Sequence, residues 1–75
     1  MSSEIARIRQ QIDLELDAMK RGLSGLAAGT ARHAFIEAKM RRVGEYEEQL
    51  AEHIGKPEAE LVSCLAYIRV MEEQA

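Results

Sequence analysis

Residues 30–54, TARHAFIEAKMRRVGEYEEQLAEHI, form the stretch that decides the fold. With 100° assigned to each residue, its apolar side chains fall in one stripe centred on Val43. The other members of this stripe are Ile36, Met40, Tyr46, Leu50 and Ile54, with Phe35 on its flank. Thr30 suits the N-cap, and Gly55 followed by Pro57 is a stop signal. The stretch therefore predicts one long amphipathic helix over 30–54.

Three residues fit the stripe poorly. Lys39 and Glu47 fall among its apolar positions, where their stems can reach water or their charges can meet a partner chain. Gly44 costs a helix interior about 1 kcal/mol relative to alanine. Two interpretations of Gly44 stay open, because the glycine is either simply tolerated or marks a close approach by another backbone.

A first helix is predicted over residues 3–22. Ser2 or Ser3 suits its N-cap, and Gly22 supplies a break after a basic last turn. Its apolar residues fall on a narrow seam of the coiled-coil kind, from which Leu14 points away. The seam consists of Ile5, Ile8, Ile12, Leu16, Met19 and Leu23.

The connector over residues 22–29, GLSGLAAG, contains three glycines. It is long for a helical hairpin, so we expect Leu23 and Leu26 to fold back over the apolar interior. It lacks a preceding strand and a Gly-Lys-Ser/Thr sequence, so it is not a phosphate loop. Arg32 and His33 are unfavourably placed at the positive end of the next helix, where they face either a carboxylate or a bound anion.

A third helix is predicted over residues 57–73, opened by Pro57 and two early glutamates. Its middle, LVSCLAYIRVM, is apolar almost all round the helix axis. A strand over 62–70 is disfavoured because strict alternation is absent. Only two other helices can cover this one in so short a chain, which predicts that a second chain covers part of it.

Size and composition restrict the chain to a single small domain. Its 75 residues are 47% hydrophobic and 31% charged, with few aromatic residues, which favours an aliphatic, helical core. One cysteine, Cys64, permits no internal disulfide and suggests a reducing compartment. Residues 1–11 lack the apolar run of a signal peptide, and no stretch is apolar enough to span a membrane, so we expect a cytoplasmic protein.

The net charge of −3 is unevenly distributed. Residues 18–43 carry six cations against one glutamate, whereas residues 44–75 carry eight glutamates against two cations. A basic end and an acidic end are therefore expected, which can steer an anionic partner or pair with the opposite end of another copy.

Candidates for chemistry are few. His33 and Glu37 share a helix face, but two ligands are too few for a metal site. His53 is interpreted as a partner of the helix dipole, and Cys64 as a buried structural thiol. No catalytic constellation or cofactor loop appears, so we expect no enzymatic activity, cofactor or metal.

Together these patterns predict an all-α, three-helix protein in which an antiparallel hairpin and a C-terminal helix pack in an oligomeric bundle. The predicted function is that of an assembly, scaffold or adaptor module acting through contacts with itself or with a partner helix. The expected interface residues are Met40, Val43, Tyr46, Leu50, Leu61, Leu65, Ile68 and Met71.

Two alternatives stay open. The first is a small regulator or inhibitor that binds one larger protein through its acidic C-terminal half. The second is a nucleic-acid-binding protein, disfavoured by the acidic pI near 5.3 and by the absence of helix-turn-helix spacing. Its expected patch, which could also bind a smaller anion, consists of Lys20, Arg21, Arg32, His33, Lys39, Arg41 and Arg42.

Overall fold

The computed structural model describes residues 3–25 and 30–73, which form three helices. These are α1 (Ser3–Gly25), α2 (Thr30–Ile54) and α3 (Lys56–Glu72). No strand occurs in the described ranges, which confirms the all-α prediction. None of the helices described is both long and apolar enough to cross a membrane.

The helix boundaries follow the sequence signals closely except at the end of α1. This helix does not stop at Gly22 but continues to Gly25. Leu23, expected in the connector, is instead a partly buried helical residue packed against the core. Leu26 and the capping hydroxyl of Thr30 lie outside the described part of the structure.

The predicted seam of α1 forms the centre of the core. Ile8, Ile12, Leu16 and Met19 are buried, and Ile5 packs beside them. Each large apolar side chain buried in this way contributes about 1.5–3 kcal/mol of transfer free energy. Leu14 points away from the seam and is half exposed, as its position on the helix predicts.

A glycine allows α1 and α2 to approach closely, but it is Gly22 rather than Gly44. A Cβ atom built on Gly22 would lie 2.7 Å from Cε2 of Phe35, well inside normal contact distance. By contrast, no atom of another described element lies within 4 Å of a Cβ atom built on Gly44. The possibility of a close approach at Gly44 is therefore wrong within this chain, and Gly22 serves packing instead of ending the helix.

A single residue joins α2 to α3. Gly55 adopts a φ of 90°, in the region that disfavours residues with a Cβ atom. Its N–H donates to the carbonyl of Ala51 at 2.8 Å, and its own carbonyl accepts from the N–H of Ala59 at 3.0 Å. Pro57 lies in the first turn of α3, as predicted. Gly55 thus ends one helix and begins the next with these backbone groups satisfied.

Polar contacts join the helices around the apolar core. The carboxylate of Glu15 accepts from Lys39 at 3.1 Å and lies 3.5 Å from Arg42, so Lys39 finds its charge partner within the chain. On the other side of α1, Lys20 Nζ donates to the carbonyl of Val70 at 2.8 Å. This contact places a cation at the negative end of α3, where the helix dipole favours it.

Candidate functional site: the outer face of α3

The packing of α3 divides it into two unequal faces. Its buried residues are spaced by four, three and four positions and form one stripe that contacts α1 and α2. These buried residues are Ala59, Ser63, Ala66 and Val70. The opposite side, which we call the outer face, consists of Leu61, Cys64, Leu65 and Ile68.

The outer face exposes the larger side chains of the helix. Leu61 is 51% exposed, Leu65 55% and Ile68 44%. A soluble helix ordinarily turns its largest apolar side chains inward, because burial stabilises them in proportion to their area. In α3 the small residues occupy the interior, since they let the helix approach its neighbours closely. The outer face consequently leaves apolar area in water.

The exposed apolar surface extends beyond α3. Tyr67, on the next strip of the same helix, is 44% exposed, and Met40 of α2 is 41% exposed. Both line a cavity of about 370 Å³ between the helices, together with Cys64 and Ser63. The Ser63 hydroxyl is buried and makes no hydrogen bond with any described residue. Most of the residues that line this cavity are apolar, so it offers packing space for an apolar group.

Cys64 lies on the outer face, and the expectation that it is buried is wrong. The interior of α3 is taken by the small-residue stripe, so position 64 falls on the far side of the helix and its thiol is exposed. The sequence shows that Cys64 lies among apolar residues, but not which apolar side of α3 packs inward.

The predicted interface residues divide into three groups. Met40, Leu61, Leu65 and Ile68 are exposed and available to a partner. Val43 and Leu50 are buried inside the chain, because α1 and α3 cover the stripe of α2, and a partner cannot reach them while this fold is intact. Tyr46 and Met71 are partly buried against the same core.

Several members of the predicted basic patch are engaged within the chain. Lys20 binds the end of α3, Arg21 forms an ion pair with Asp17, and Lys39 binds Glu15. Arg42 donates to the Tyr46 hydroxyl at 3.4 Å and lies near Glu15; the hydrogen bond and then the carboxylate raise the pKa of its guanidinium.

The remaining members, Arg32, His33 and Arg41, are exposed on α2. Of the patch, Lys20, Lys39 and Arg42 thus make contacts between helices. The first turn of α2 contains no acidic residue, so nothing within that turn offsets the positive charge of Arg32.

No metal-binding group emerges around the histidines. Among the described residues, no three side chains of the histidine, cysteine, aspartate or glutamate type cluster in a way that could hold a metal ion. His53 lies in the last turn of α2, the position expected for a partner of the helix dipole.

Comparison with known proteins finds no matching family model, curated protein or solved structure.

Proposed function

We propose that this protein is a non-enzymatic helical assembly module and that the outer face of α3 binds a second copy of the chain. One observation carries the proposal: α3 buries its small residues and exposes Leu61, Leu65 and Ile68. A partner helix that covered these three side chains would remove from water the apolar area that the monomer leaves exposed.

The size of the exposed surface supports a partner of protein type. The half-exposed apolar side chains present on the order of a few hundred Å² of apolar area. They are Leu61, Leu65, Ile68, Tyr67 and Met40. A stable interface of standard size buries about 800 Å² on each partner, and little more than half of that area is apolar. The outer face, taken together with Tyr67, Met40 and a polar border, therefore has the size that an interface between two copies needs.

The distribution of charge favours a second copy over an unrelated partner. Residues 18–43 are strongly basic and residues 44–75 strongly acidic. A chain whose two segments carry opposite charge can complement an inverted copy of itself through cations that stay exposed, such as Arg32 and Arg41, without any third component.

The hairpin formed by α1 and α2 belongs to the same proposal, and we take it to be antiparallel. Contacts between the two helices run in opposite order along the chain: Gly22 lies near Phe35, whereas the earlier residue Glu15 meets the later residues Lys39 and Arg42. In this arrangement α3 crosses the open side of the hairpin and presents its outer face to solvent.

The cell compartment is also part of the proposal. An exposed, free thiol such as that of Cys64 persists where thiols are kept reduced. We therefore place the protein in a reducing compartment, for which the cytoplasm is the natural choice.

The experiment that tests the proposal is the mass in solution, measured by light scattering after size exclusion across a range of concentrations. We expect the unmodified chain to form a dimer or a larger closed oligomer, and Leu65→Asp to reduce it to a monomer. On association, a carboxylate at position 65 would lose its hydration, and this cost opposes dimer formation.

Ala38→Asp is the control. Ala38 is an exposed residue of α2 and does not belong to the outer face of α3. This variant should keep the mass of the unmodified chain.

Two results would overturn the proposal. One is an unmodified chain that stays monomeric at every concentration, which would favour the alternative of a regulator bound to a larger protein. The other is a Leu65→Asp variant that keeps the native mass. If Leu65→Asp unfolds by circular dichroism, the milder Leu65→Ser takes its place, and the same two outcomes decide.

A further inference from the structure

The geometry of the outer face points to one mode of association: we infer that two copies pair through antiparallel α3 helices, related by a two-fold axis that passes between Cys64 and Leu65. This inference rests on the proposed function, in which the outer face binds a second copy. It adds the orientation of that copy and the residues that meet across the axis.

The apolar residues are symmetric about this point. Leu61 and Ile68 lie equally far from the midpoint between Cys64 and Leu65, about 5 Å along the helix on either side. In an antiparallel pair, Leu61 of each copy therefore opposes Ile68 of the other, while Leu65 and Cys64 fill the centre. A two-fold interface requires this kind of self-complementarity, because the same patch is used on both sides.

Charges on the border of the outer face distinguish the two possible directions. At 100° per residue, Glu58 and Arg69 both lie within about 40° of Leu65, on the same border of the face. An antiparallel pair brings Arg69 of one copy within about 3 Å, measured along the axis, of Glu58 of the other. In a parallel pair the same border of the two copies falls on opposite sides of the interface, so Glu58 of one copy does not meet Arg69 of the other and this attraction is absent.

Arg69 can make this second contact without giving up its first. Its guanidinium donates to Asp13 on α1 at 2.7 Å, and its side chain is still 57% exposed. Since a guanidinium carries five N–H donors, the exposed ones can reach a carboxylate of the partner copy.

Cysteines serve as reporters of this geometry. Helices that pack directly have axes about 8–10 Å apart. A pair of cysteines that face each other at the same height along such helices can form a disulfide, which needs a Cα–Cα distance below about 7 Å. Pairs displaced by two turns along the axis cannot.

The experiment places one cysteine on each half of the outer face, in a Cys64→Ser background. The variants are Leu61→Cys and Ile68→Cys, and the second carries a mass tag so that mixed products can be resolved on a gel. Each variant is oxidised with diamide alone and after the two have been mixed and allowed to exchange subunits.

We expect the mixture to give mainly the mixed disulfide dimer and each variant alone to give little. Identical positions are then separated by about 10 Å along the axis, whereas positions 61 and 68 face each other. Efficient cross-linking of each variant with itself, and not with the other, would mean parallel helices and would overturn the inference.

A charge substitution gives a second, independent test. Glu58→Arg should weaken dimerisation about threefold to tenfold, since it sets two cations together across the antiparallel pair. Glu45→Arg makes the same change at an exposed position on the far side of α2 and should leave the affinity unchanged. Equal affinities for the two variants would count against antiparallel pairing.

Light scattering on the unmodified chain distinguishes a failure of the antiparallel orientation from a failure of the proposed self-association. A dimer that gives the parallel cross-linking pattern overturns the orientation and leaves the proposed function standing. A chain that is monomeric in solution overturns both.

Discussion

The first and third helices place their apolar side chains in opposite ways. In α1 the largest apolar side chains, such as Ile12 and Leu16, are completely buried, and Leu14 is its one exposed large apolar residue. In α3 the interior holds Ala59, Ala66 and other small residues, and the large side chains face outward. The difference teaches that a hydrophobic pattern identifies a helix more readily than it identifies the neighbour that each face contacts.

The physical reason lies in the width of the apolar surface. The seam of α1 is narrow, so only one orientation buries it. The apolar residues of α3 surround the axis, so several orientations bury similar area. Close packing then selects the small-residue side, where backbones can approach most closely.

The largest difference in the free energy of unfolding should appear when a large side chain is replaced by alanine on α1 and on α3. Ile12→Ala, which empties a fully buried site, is expected to lower the free energy of unfolding by about 2–5 kcal/mol. Leu65→Ala removes an exposed side chain and should change it by less than about 0.5 kcal/mol. Urea denaturation followed by circular dichroism, at concentrations low enough for the monomer, measures both. Equal losses would mean that the outer face is buried within the chain itself.

Replacing an alanine by leucine should destabilise the protein when the alanine lies on the packed side of α3, but not when it lies on the exposed side of α1. Ala66→Leu forces three extra carbons into the packed side of α3 and should cost about 1–3 kcal/mol. Ala6→Leu makes the same change on an exposed position of α1 and should have almost no effect. Thermal unfolding of the two variants side by side tests this. A stable Ala66→Leu protein would show that α3 can rotate and pack its other side inward.

The two glycines inside helices should respond to alanine with opposite signs. At Gly44 the added methyl group meets open space, and the better helix propensity should stabilise the protein by up to about 1 kcal/mol. At Gly22 the same methyl group collides with the ring of Phe35, and we expect a net loss of about 1 kcal/mol.

Denaturant unfolding of the two glycine variants gives the comparison. Phe35→Leu combined with Gly22→Ala should recover part of the loss, because the smaller side chain leaves room for the methyl group. A stabilising Gly22→Ala variant would contradict the close contact between α1 and α2.

The smallest losses of stability are expected from removing the polar contacts between α1 and α3. Lys20→Met removes the partly buried hydrogen bond to the carbonyl of Val70 and should cost about 1 kcal/mol. Arg69→Met breaks the exposed ion pair with Asp13 and should cost less than about 0.5 kcal/mol in the monomer. Hydrogen exchange at the last turn of α3 should rise in Lys20→Met and stay nearly unchanged in Arg69→Met. The reverse order would mean that the capping contact does not hold this turn.

Much of the fold was predictable because its signals are local. Gly55 and Pro57 mark the junction of α2 and α3, and the bounds of α2 agree with the structure at both ends. The prediction that the α1 seam is buried was also correct. Gly22 was misjudged, since a glycine that ends a helix and one that admits an aromatic ring look the same along the chain.

The candidate site was predictable only in part. The exposed positions Leu61, Leu65 and Ile68 were identified because α3 has more apolar surface than two helices can cover. The exposure of Cys64 and the burial of Val43 and Leu50 were not foreseen, because each depends on how a helix is rotated against its neighbours.

The residues alone predict the three helices of the described ranges, the junction of α2 and α3 at Gly55, and the narrow seam that α1 turns inward. These features are predictable because helix periodicity and capping depend on residues that are close together in the chain. Tertiary packing, by contrast, selected which side of α3 contacts α1 and α2, which glycine admits Phe35, and which of the described charges are paired within the chain. Those outcomes follow from close packing among residues far apart in the chain, where a difference of one methyl group determines which surfaces fit.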